Sequence, residues 1–195
     1  MGIDVGTTGA KALLTDADGA VKATATTEYP MSTPHPLWAE QQPTDWWTAT
    51  VSSIDRILKQ SGVTPDRIVA VGLTGQMHGL VLLDAQGDVL RPCIMWNDQR
   101  TGEQCAEITR RVGAERLLQL TGNPVLPGFT APKILWVSQH EPHVYKEVAK
   151  VLLPKDYVRH RLTGEFFGAD EAAELGLVNE AVPDDELDER VADLL

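Results

Sequence analysis

The sequence is poor in cysteine and in positive charge, and it has no long hydrophobic run. Its two cysteines, Cys93 and Cys105, fit neither a disulfide framework nor the spacing of a zinc site, so we expect reduced thiols in a cytoplasmic protein. The apolar run at residues 80–83 ends at Asp84, far short of the ~18 residues that a membrane span needs. With 17 basic and 28 acidic side chains, the net charge of −11 argues against a nucleic acid partner.

The negative charge is concentrated near the C-terminal end. Residues 168–195 contain ten acidic side chains and one basic one, Arg190, whereas residues 1–167 are almost balanced, with 18 acidic and 16 basic side chains. Such a change in charge marks a tail or a join between segments. We therefore expect one domain followed by an acidic helical tail that begins near residue 168.

Short apolar runs followed by helical periodicity predict an α/β domain with a mixed sheet and flanking helices. The predicted strands are residues 3–5, 11–15, 21–29, 67–73, 80–83, 91–96 and 151–153. The predicted helices lie between Thr44 and Ser61 and at residues 101–118, 131–139, 142–148 and 155–162. Residues 67–73 are almost all apolar, which is typical of a strand buried on both faces.

The first candidate site follows the first predicted strand, where Asp4 precedes a turn made of Gly6, Thr7, Thr8 and Gly9. The turn matches neither a P-loop nor a dinucleotide-binding turn. Unshielded N–H groups at the glycines and the two threonine hydroxyls suit a phosphate, and the carboxylate suits Mg²⁺. A plain hairpin, with glycine serving the turn geometry, is an equally good interpretation of the same residues.

Two further candidate segments also follow strand ends, where α/β sheets usually hold ligands. Met77 and His78 lie in a loop between glycines, and Trp96, Asn97 and Asp98 lie between a strand and a helix. Each segment has a structural alternative: His78 is a loop histidine with satisfied hydrogen bonds, or Asp98 caps the helix that begins near residue 100.

Together these segments resemble the FGGY carbohydrate kinases, and within that family the xylulokinase branch. The matching segments run in order over about 165 residues: GIDVGTTGAK (2–11), PHPLWAEQ (34–41), DWW (45–47), GLTGQMHG (72–79), RPCIMWNDQR (91–100), LTGNPVLPGFTAPKILW (120–136) and VLLPKDYVRHRLTGE (151–165). The GQMHG and PGFTAPK runs favour the xylulokinase branch over the glycerol, gluconate and ribulose kinases.

The resemblance implies an actin-like, ribonuclease-H-like ATPase fold and transfer of the γ-phosphoryl group of ATP, with Mg²⁺, to the 5-hydroxyl of D-xylulose. It assigns Asp4 as the catalytic residue and Mg²⁺ ligand. By position it also assigns the phosphate hairpin to Gly6, Thr7, Thr8 and Lys11, and ketose binding to Met77, His78, Trp96, Asn97 and Asp98. A homodimer stays open for the full-length members of the family.

The resemblance also places the general base and the adenosine pocket in a second domain that these 195 residues do not contain, so we expect this chain alone to be inactive. Residues 168–195 resemble instead the C-terminal segment of the enoyl-CoA hydratases (the crotonase family), joined at the shared LTGE of residues 162–165. The resemblance thus implies a kinase N-terminal domain over residues 1–165 and an acidic crotonase-like tail over residues 166–195. Three alternatives stay open: a non-catalytic ketose- or nucleotide-binding module, a kinase for another sugar or polyol, and an actin-like or chaperone-like ATPase.

Overall fold

The computed structural model describes residues 1–164, and its centre is a four-stranded mixed sheet. Strands β1 (Gly2–Val5), β2 (Gly9–Thr15) and β3 (Val21–Glu28) form an antiparallel meander, and β5 (Gly72–Gly75) adds parallel to β1. The order across the sheet is β3-β2-β1-β5. The α/β class and the first three strands are as predicted, whereas the acidic tail lies outside the described residues.

The alternation of side chains along β1 and β2 separates a buried face from an open one. Ile3, Val5 and Leu14 are buried, whereas Asp4 and Lys11 are exposed and lie opposite each other in the β1–β2 register. The sequence therefore places one carboxylate and one amine side by side on the open face of the sheet.

Helix α1 (Pro43–Ser61) covers the buried face, as the spacing of its apolar residues predicts. Trp46 and Ile57 are fully buried against the sheet, and Ser53 Oγ donates a hydrogen bond of 2.9 Å to the carbonyl oxygen of Ala10. Pro43 begins the helix and Gly62, with φ of 68°, ends it in a left-handed conformation. None of the helices within residues 1–164 is long and apolar enough to cross a bilayer.

A smaller layer of short strands and helices follows the sheet. Its two-stranded ladders pair β4 (Glu40–Gln41) with β7 (Cys93–Ile94), and β6 (Val81–Leu83) with β8 (Lys150–Leu152). Its helices are α2 (Gly102–Val112), α3 (Ala114–Thr121), α4 (Thr130–His140), α5 (Pro142–Glu147) and α6 (Pro154–Thr163). The two cysteines are free thiols in buried positions, as expected.

Three predicted elements are wrong in their extent, the first being the predicted strand at residues 91–96, of which only β7 (Cys93–Ile94) is strand. The predicted buried strand at residues 67–73 is a short 3-10 turn followed by an extended segment, and β5 covers only its last two residues and two more. Val69 is 98% exposed and Val71 is 53% exposed; both precede β5, which is itself an edge strand of the sheet among the described residues. The predicted helix 101–118 is two helices, because Gly113 turns the chain at φ of 90°.

Gly75 lets the end of β5 approach β1 closely. A Cβ atom there would lie 2.8 Å from the carbonyl oxygen of Val5, whereas a Cβ atom on Gly72 in the same strand would meet nothing within 4 Å. We expect Gly75→Ala to lower the free energy of unfolding by about 1–3 kcal/mol, because the backbone of β1 must move to admit the methyl group. Chemical denaturation measures this, with Gly72→Ala as the control, and equal effects of the two substitutions would contradict it.

Candidate functional site

The turn between β1 and β2 is held in place by hydrogen bonds that its backbone carbonyl groups accept. The Tyr29 hydroxyl donates to the Gly6 carbonyl at 2.6 Å, Gln41 Nε2 donates to the Thr7 carbonyl at 2.7 Å, and the Tyr29 N–H donates to the Thr8 carbonyl at 3.3 Å. Within the described residues the N–H groups of Thr7 and Thr8 have no acceptor. The turn therefore presents two fixed backbone donors, which is the arrangement of an anion-binding loop.

The N–H of Gly6 is not one of the free donors that the sequence predicted. It donates to the Gly9 carbonyl at 3.0 Å and closes the turn. Gly9 is instead required for space, since a Cβ atom there would lie 2.9 Å from the Thr27 carbonyl oxygen in β3.

Asp4 and Lys11 line an open hollow of about 420 Å³ on the exposed face of the sheet, beside this turn. Lys11 therefore lies on β2, next to Asp4, and not within the turn itself. Burial and then the negative charge of Asp4 raise the pKa of Tyr29, whose hydroxyl contacts the turn. The charge of the exposed Asp4 carboxylate thus acts on Tyr29, which contacts the turn.

This face of the sheet suits a Mg²⁺ ion that is bound together with a phosphate better than one held by protein side chains alone. Among residues 1–164 there is no cluster of three or more side chains of the kinds that bind metals. Mg²⁺ commonly takes one or two carboxylates and completes its shell with water and phosphate oxygens. Asp4 supplies such a carboxylate, and the amides of Thr7 and Thr8 supply donors for the phosphate oxygens.

A second pocket, of about 310 Å³, adjoins the turn and contains three of the predicted ketose-binding residues. Its lining residues are Thr7, Gln76, Met77, His78 and Trp96. Trp96 Nε1 donates a hydrogen bond of 3.1 Å to the Thr7 hydroxyl, and the Gln76 N–H donates to the Val5 carbonyl at 2.8 Å. The structure therefore joins the predicted phosphate turn and the predicted sugar pocket through one residue, Thr7.

The side chains of Met77 and His78 are exposed in this pocket. Met77 is 53% exposed, and the ring of His78 lies against the ring of Phe129 with centroids 4.9 Å apart. His78 has φ of 65°, a left-handed conformation that non-glycine residues seldom adopt. Holding this ring at the pocket therefore requires an unfavourable backbone conformation at His78.

Asn97 and Asp98 do not line the pocket with Trp96. Asn97 lines a separate open hollow of about 480 Å³, together with residues of the 31–39 loop, and its Nδ2 atom is 3.8 Å from Met31 Sδ. Asp98 is fully buried. Ketose contacts from these two residues stay predictions, and of the three only Trp96 lines the pocket that contains Met77 and His78.

The carboxylate of Asp98 is occupied by protein donors. Its Oδ2 atom accepts hydrogen bonds of 2.7 Å from both the Ala39 N–H and Arg100 Nη2, and its Oδ1 atom accepts the backbone N–H and Nε of Arg100 at 2.9 Å. Arg100 Nη1 also lies 2.8 Å from Glu40 Oε1, and its guanidinium stacks on Trp38 at 3.7 Å. This network fixes the loop that carries Trp96. The following helix begins at Gly102, so Asp98 is not its N-cap.

Sequence reasoning missed Lys133, whose side chain is completely buried in the protein. Its Nζ atom donates to the His78 carbonyl at 2.7 Å and to the Gly128 carbonyl at 2.6 Å, and burial lowers its pKa to about 8. The available signal was its position one helical turn before Trp136 and Val137, which puts a lysine on the apolar side of α4.

Comparison with known proteins identifies the family. The model of the N-terminal domain of the FGGY family of carbohydrate kinases matches residues 1–189. The chain belongs to this family. The match extends past residue 165 and does not test the domain boundary predicted there. That boundary and the crotonase-like interpretation of residues 168–195 stay predictions.

The relatives share both sequence and fold with this FGGY chain. The xylulose kinase of Escherichia coli is 50% identical over 168 residues, which cover 85% of this chain and 34% of that protein. The structure of a xylulose kinase from Rhodospirillum rubrum matches with a TM-score of 0.82 and 35% identity, over 91% of this chain and 36% of that one. A gluconate kinase from Lactobacillus acidophilus matches with a TM-score of 0.77 and 28% identity, over 84% and 33%.

These matches confirm the actin-like α/β fold expected for an FGGY kinase domain. They also show that the chain spans about one third of the length of the relatives that it matches.

Proposed function

We propose that this chain forms the sugar- and phosphate-binding part of an ATP-dependent kinase that converts D-xylulose to D-xylulose 5-phosphate. The observation that carries the proposal is the hydrogen bond from Trp96 Nε1 to Thr7 Oγ1, which joins the His78 pocket to the phosphate turn. A ketose in the pocket and a phosphoryl group on the turn then lie close enough for direct transfer. The xylulose kinases among the relatives support D-xylulose as the acceptor.

On the phosphate side, the chain supplies positioning and charge. In this proposal the Asp4 carboxylate holds Mg²⁺, which neutralises charge on the phosphoryl oxygens when it is bound. The N–H groups of Thr7 and Thr8 donate to a phosphoryl oxygen, and the Lys11 ammonium adds positive charge beside Asp4. These groups lie on a fixed turn, so they need little rearrangement during the reaction.

On the sugar side, Trp96 and Met77 provide apolar surface for the carbon skeleton, and the His78 ring provides a polar contact for a hydroxyl group. In the transfer itself, the sugar oxygen bonds to the γ-phosphorus, the bond from phosphorus to the leaving ADP oxygen breaks, and the hydroxyl proton passes to a base. Among residues 1–164 no carboxylate lines this pocket. We therefore propose that the 195-residue chain binds the ketose but does not phosphorylate it at a useful rate.

Calorimetric titration of the 195-residue chain with D-xylulose, D-ribulose, glycerol and D-gluconate tests the binding part of the proposal. We expect D-xylulose to bind best and His78→Ala to weaken its binding about tenfold, because a hydrogen bond to the sugar is lost. His143→Ala, which changes an exposed histidine on α5, is the matched control. No binding of D-xylulose, or equal binding of all four compounds, would contradict the proposal.

A coupled ADP-release assay with ATP, Mg²⁺ and D-xylulose tests the catalytic part. We expect no turnover above that of the Asp4→Ala variant. Xylulose-dependent turnover that Asp4→Ala abolishes would show that a base exists within this chain.

A kinase for another sugar or sugar acid is the second candidate, and the structural match to the gluconate kinase favours keeping it. Preferential binding of D-gluconate in the titration would select this candidate. Ketose binding without any phosphate affinity would select the non-catalytic binding module instead.

A further inference from the structure

The segment of residues 128–133, at the start of α4, contacts the two loops that form the sugar pocket. Phe129 lies against the His78 ring, and the Thr130 hydroxyl donates to the His78 carbonyl at 3.2 Å. Lys133 Nζ donates to that same carbonyl at 2.7 Å. The proposed function gives this segment no task, although three of its side chains converge on one residue of the pocket.

The environment of Lys133 shows what its buried ammonium does. It makes no ion pair of 4 Å or less among the described residues, and the nearby Asp98 carboxylate is occupied by Arg100 and Ala39. Its two hydrogen bonds go to backbone carbonyls, those of His78 and Gly128. Burying an ammonium is unfavourable unless it is well solvated by hydrogen bonds, and here those bonds connect two loops.

Both connected loops need such a restraint. His78 holds a left-handed conformation that persists only where surrounding contacts enforce it. Gly128 packs against the backbone of Trp96, where a Cβ atom would lie 2.8 Å from the Trp96 carbonyl oxygen. One side chain, Lys133, therefore links the backbone beside His78 to the backbone that supports Trp96.

We propose that Lys133 and Thr130 are positioning residues that fix the His78 ring in the sugar pocket by holding the His78 carbonyl. The role in sugar binding rests on the proposed function, whereas the effect on the His78 ring does not. The same geometry makes these two residues determinants of sugar affinity without any contact with the sugar.

Two variants of the 195-residue chain test the proposal in different ways. Lys133→Met keeps the length of the side chain and removes both hydrogen bonds, and Thr130→Val removes one hydrogen bond at a less buried position. Gln104→Leu is the control. It removes the hydrogen bond from the buried Gln104 on α2 to Gln139 on α4, and neither residue contacts His78. If Lys133→Met fails to fold, Thr130→Val alone decides the result.

The first readout is the NMR signal of the His78 ring protons in the absence of sugar, since the nearby Phe129 ring shifts that signal. We expect both variants to move the His78 signal by more than its line width, while Gln104→Leu leaves it in place. The second readout is calorimetric affinity for D-xylulose. We expect about a tenfold loss or more for Lys133→Met and a smaller loss for Thr130→Val, as for lost hydrogen bonds to a charged and a neutral donor.

The outcomes separate this proposal from the proposed function. An unmoved His78 signal overturns the positioning role, whatever the sugar affinity. A moved signal with unchanged D-xylulose affinity also overturns the proposal, because the ring position then has no effect on binding. If the wild-type chain binds no D-xylulose but the signal moves in both variants, the positioning of His78 is supported and the proposed function fails.

Discussion

Asp4→Asn is expected to reduce phosphoryl transfer by at least about a thousandfold in a kinase that contains this chain, since in the proposed function the Asp4 carboxylate holds Mg²⁺ and thereby stabilises the phosphoryl charge. The substitution keeps the shape of the side chain and removes the only negative charge on the exposed face of β1. Because Asp4 is exposed and its carboxylate has no hydrogen bond among the described residues, we expect the fold to be unaffected.

A hybrid enzyme makes this effect measurable. Residues 1–164 replace the matching third of the Escherichia coli xylulose kinase, to which the chain is 50% identical over 168 residues, and the hybrid supplies the rest of a kinase. Phosphorylation of D-xylulose is then measured for the hybrid, for its Asp4→Asn variant and for Asp55→Asn, an exposed aspartate on α1 that pairs with Lys59. An Asp4→Asn hybrid that keeps more than a tenth of the activity would refute the role of Asp4.

Asp98→Ala is expected to have the largest effect on stability. The substitution leaves the Arg100 guanidinium buried, with the side chain 1% exposed, and removes the acceptors of its Nε and Nη2 atoms. Removing one partner of a buried ion pair costs about 3–5 kcal/mol. For a chain of this size that corresponds to a fall of about 6–20 °C in melting temperature.

Thermal unfolding followed by circular dichroism measures this fall, with two comparisons. Asp55→Ala breaks an exposed ion pair on α1 and is expected to change the melting temperature little, since exposed pairs contribute about 0–1 kcal/mol. Asp98→Asn keeps one oxygen as a hydrogen-bond acceptor, so its melting temperature should lie between those of Asp98→Ala and Asp55→Ala. If Asp98→Ala melts within 2 °C of the wild type, the buried network does not hold the Trp96 loop as described.

The parts of the fold that depend on local sequence were predictable. The alternation of apolar and polar residues in β1 to β3 and the spacing of apolar residues in α1 are visible in short stretches of sequence, and the structure confirms these elements. The predicted strand at residues 67–73 failed for a different reason. Its apolar residues indicated burial, but burial depends on distant parts of the chain packing over them, and among the described residues Val69 stays 98% exposed and Val71 53% exposed.

The candidate site was predictable where it consists of continuous motifs. Thr7, His78 and Trp96 line one pocket, whereas Asp4 lines a separate hollow on the sheet and Thr8 lines neither, and the roles of these residues stay predictions. The direction of a side chain was not predictable when it depends on a distant partner. The sequence beside Asp98 does not show that Arg100 and Ala39 take its oxygens.

The position of Lys133 on the apolar side of α4 indicated burial, but its hydrogen-bond partner was unpredictable. A lysine at the start of a helix is usually solvated, and nothing in residues 128–133 indicates that its ammonium reaches the carbonyl group of His78, 55 positions earlier in the chain. Only the folded chain brings the two together.

The hydrogen bond between Trp96 and Thr7 has a consequence for how two ligands would influence each other. In the proposed function Thr7 contacts the phosphate through its N–H and also lines the sugar pocket, so a phosphate that shifts Thr7 changes the surroundings of Trp96, which is hydrogen-bonded to the Thr7 hydroxyl. Thermodynamic linkage makes such an influence reciprocal: if phosphate raises the affinity for the sugar by some factor, the sugar raises the affinity for phosphate by the same factor. In the proposed function Thr7 is thus the residue through which the sugar and the phosphate would influence each other's affinity.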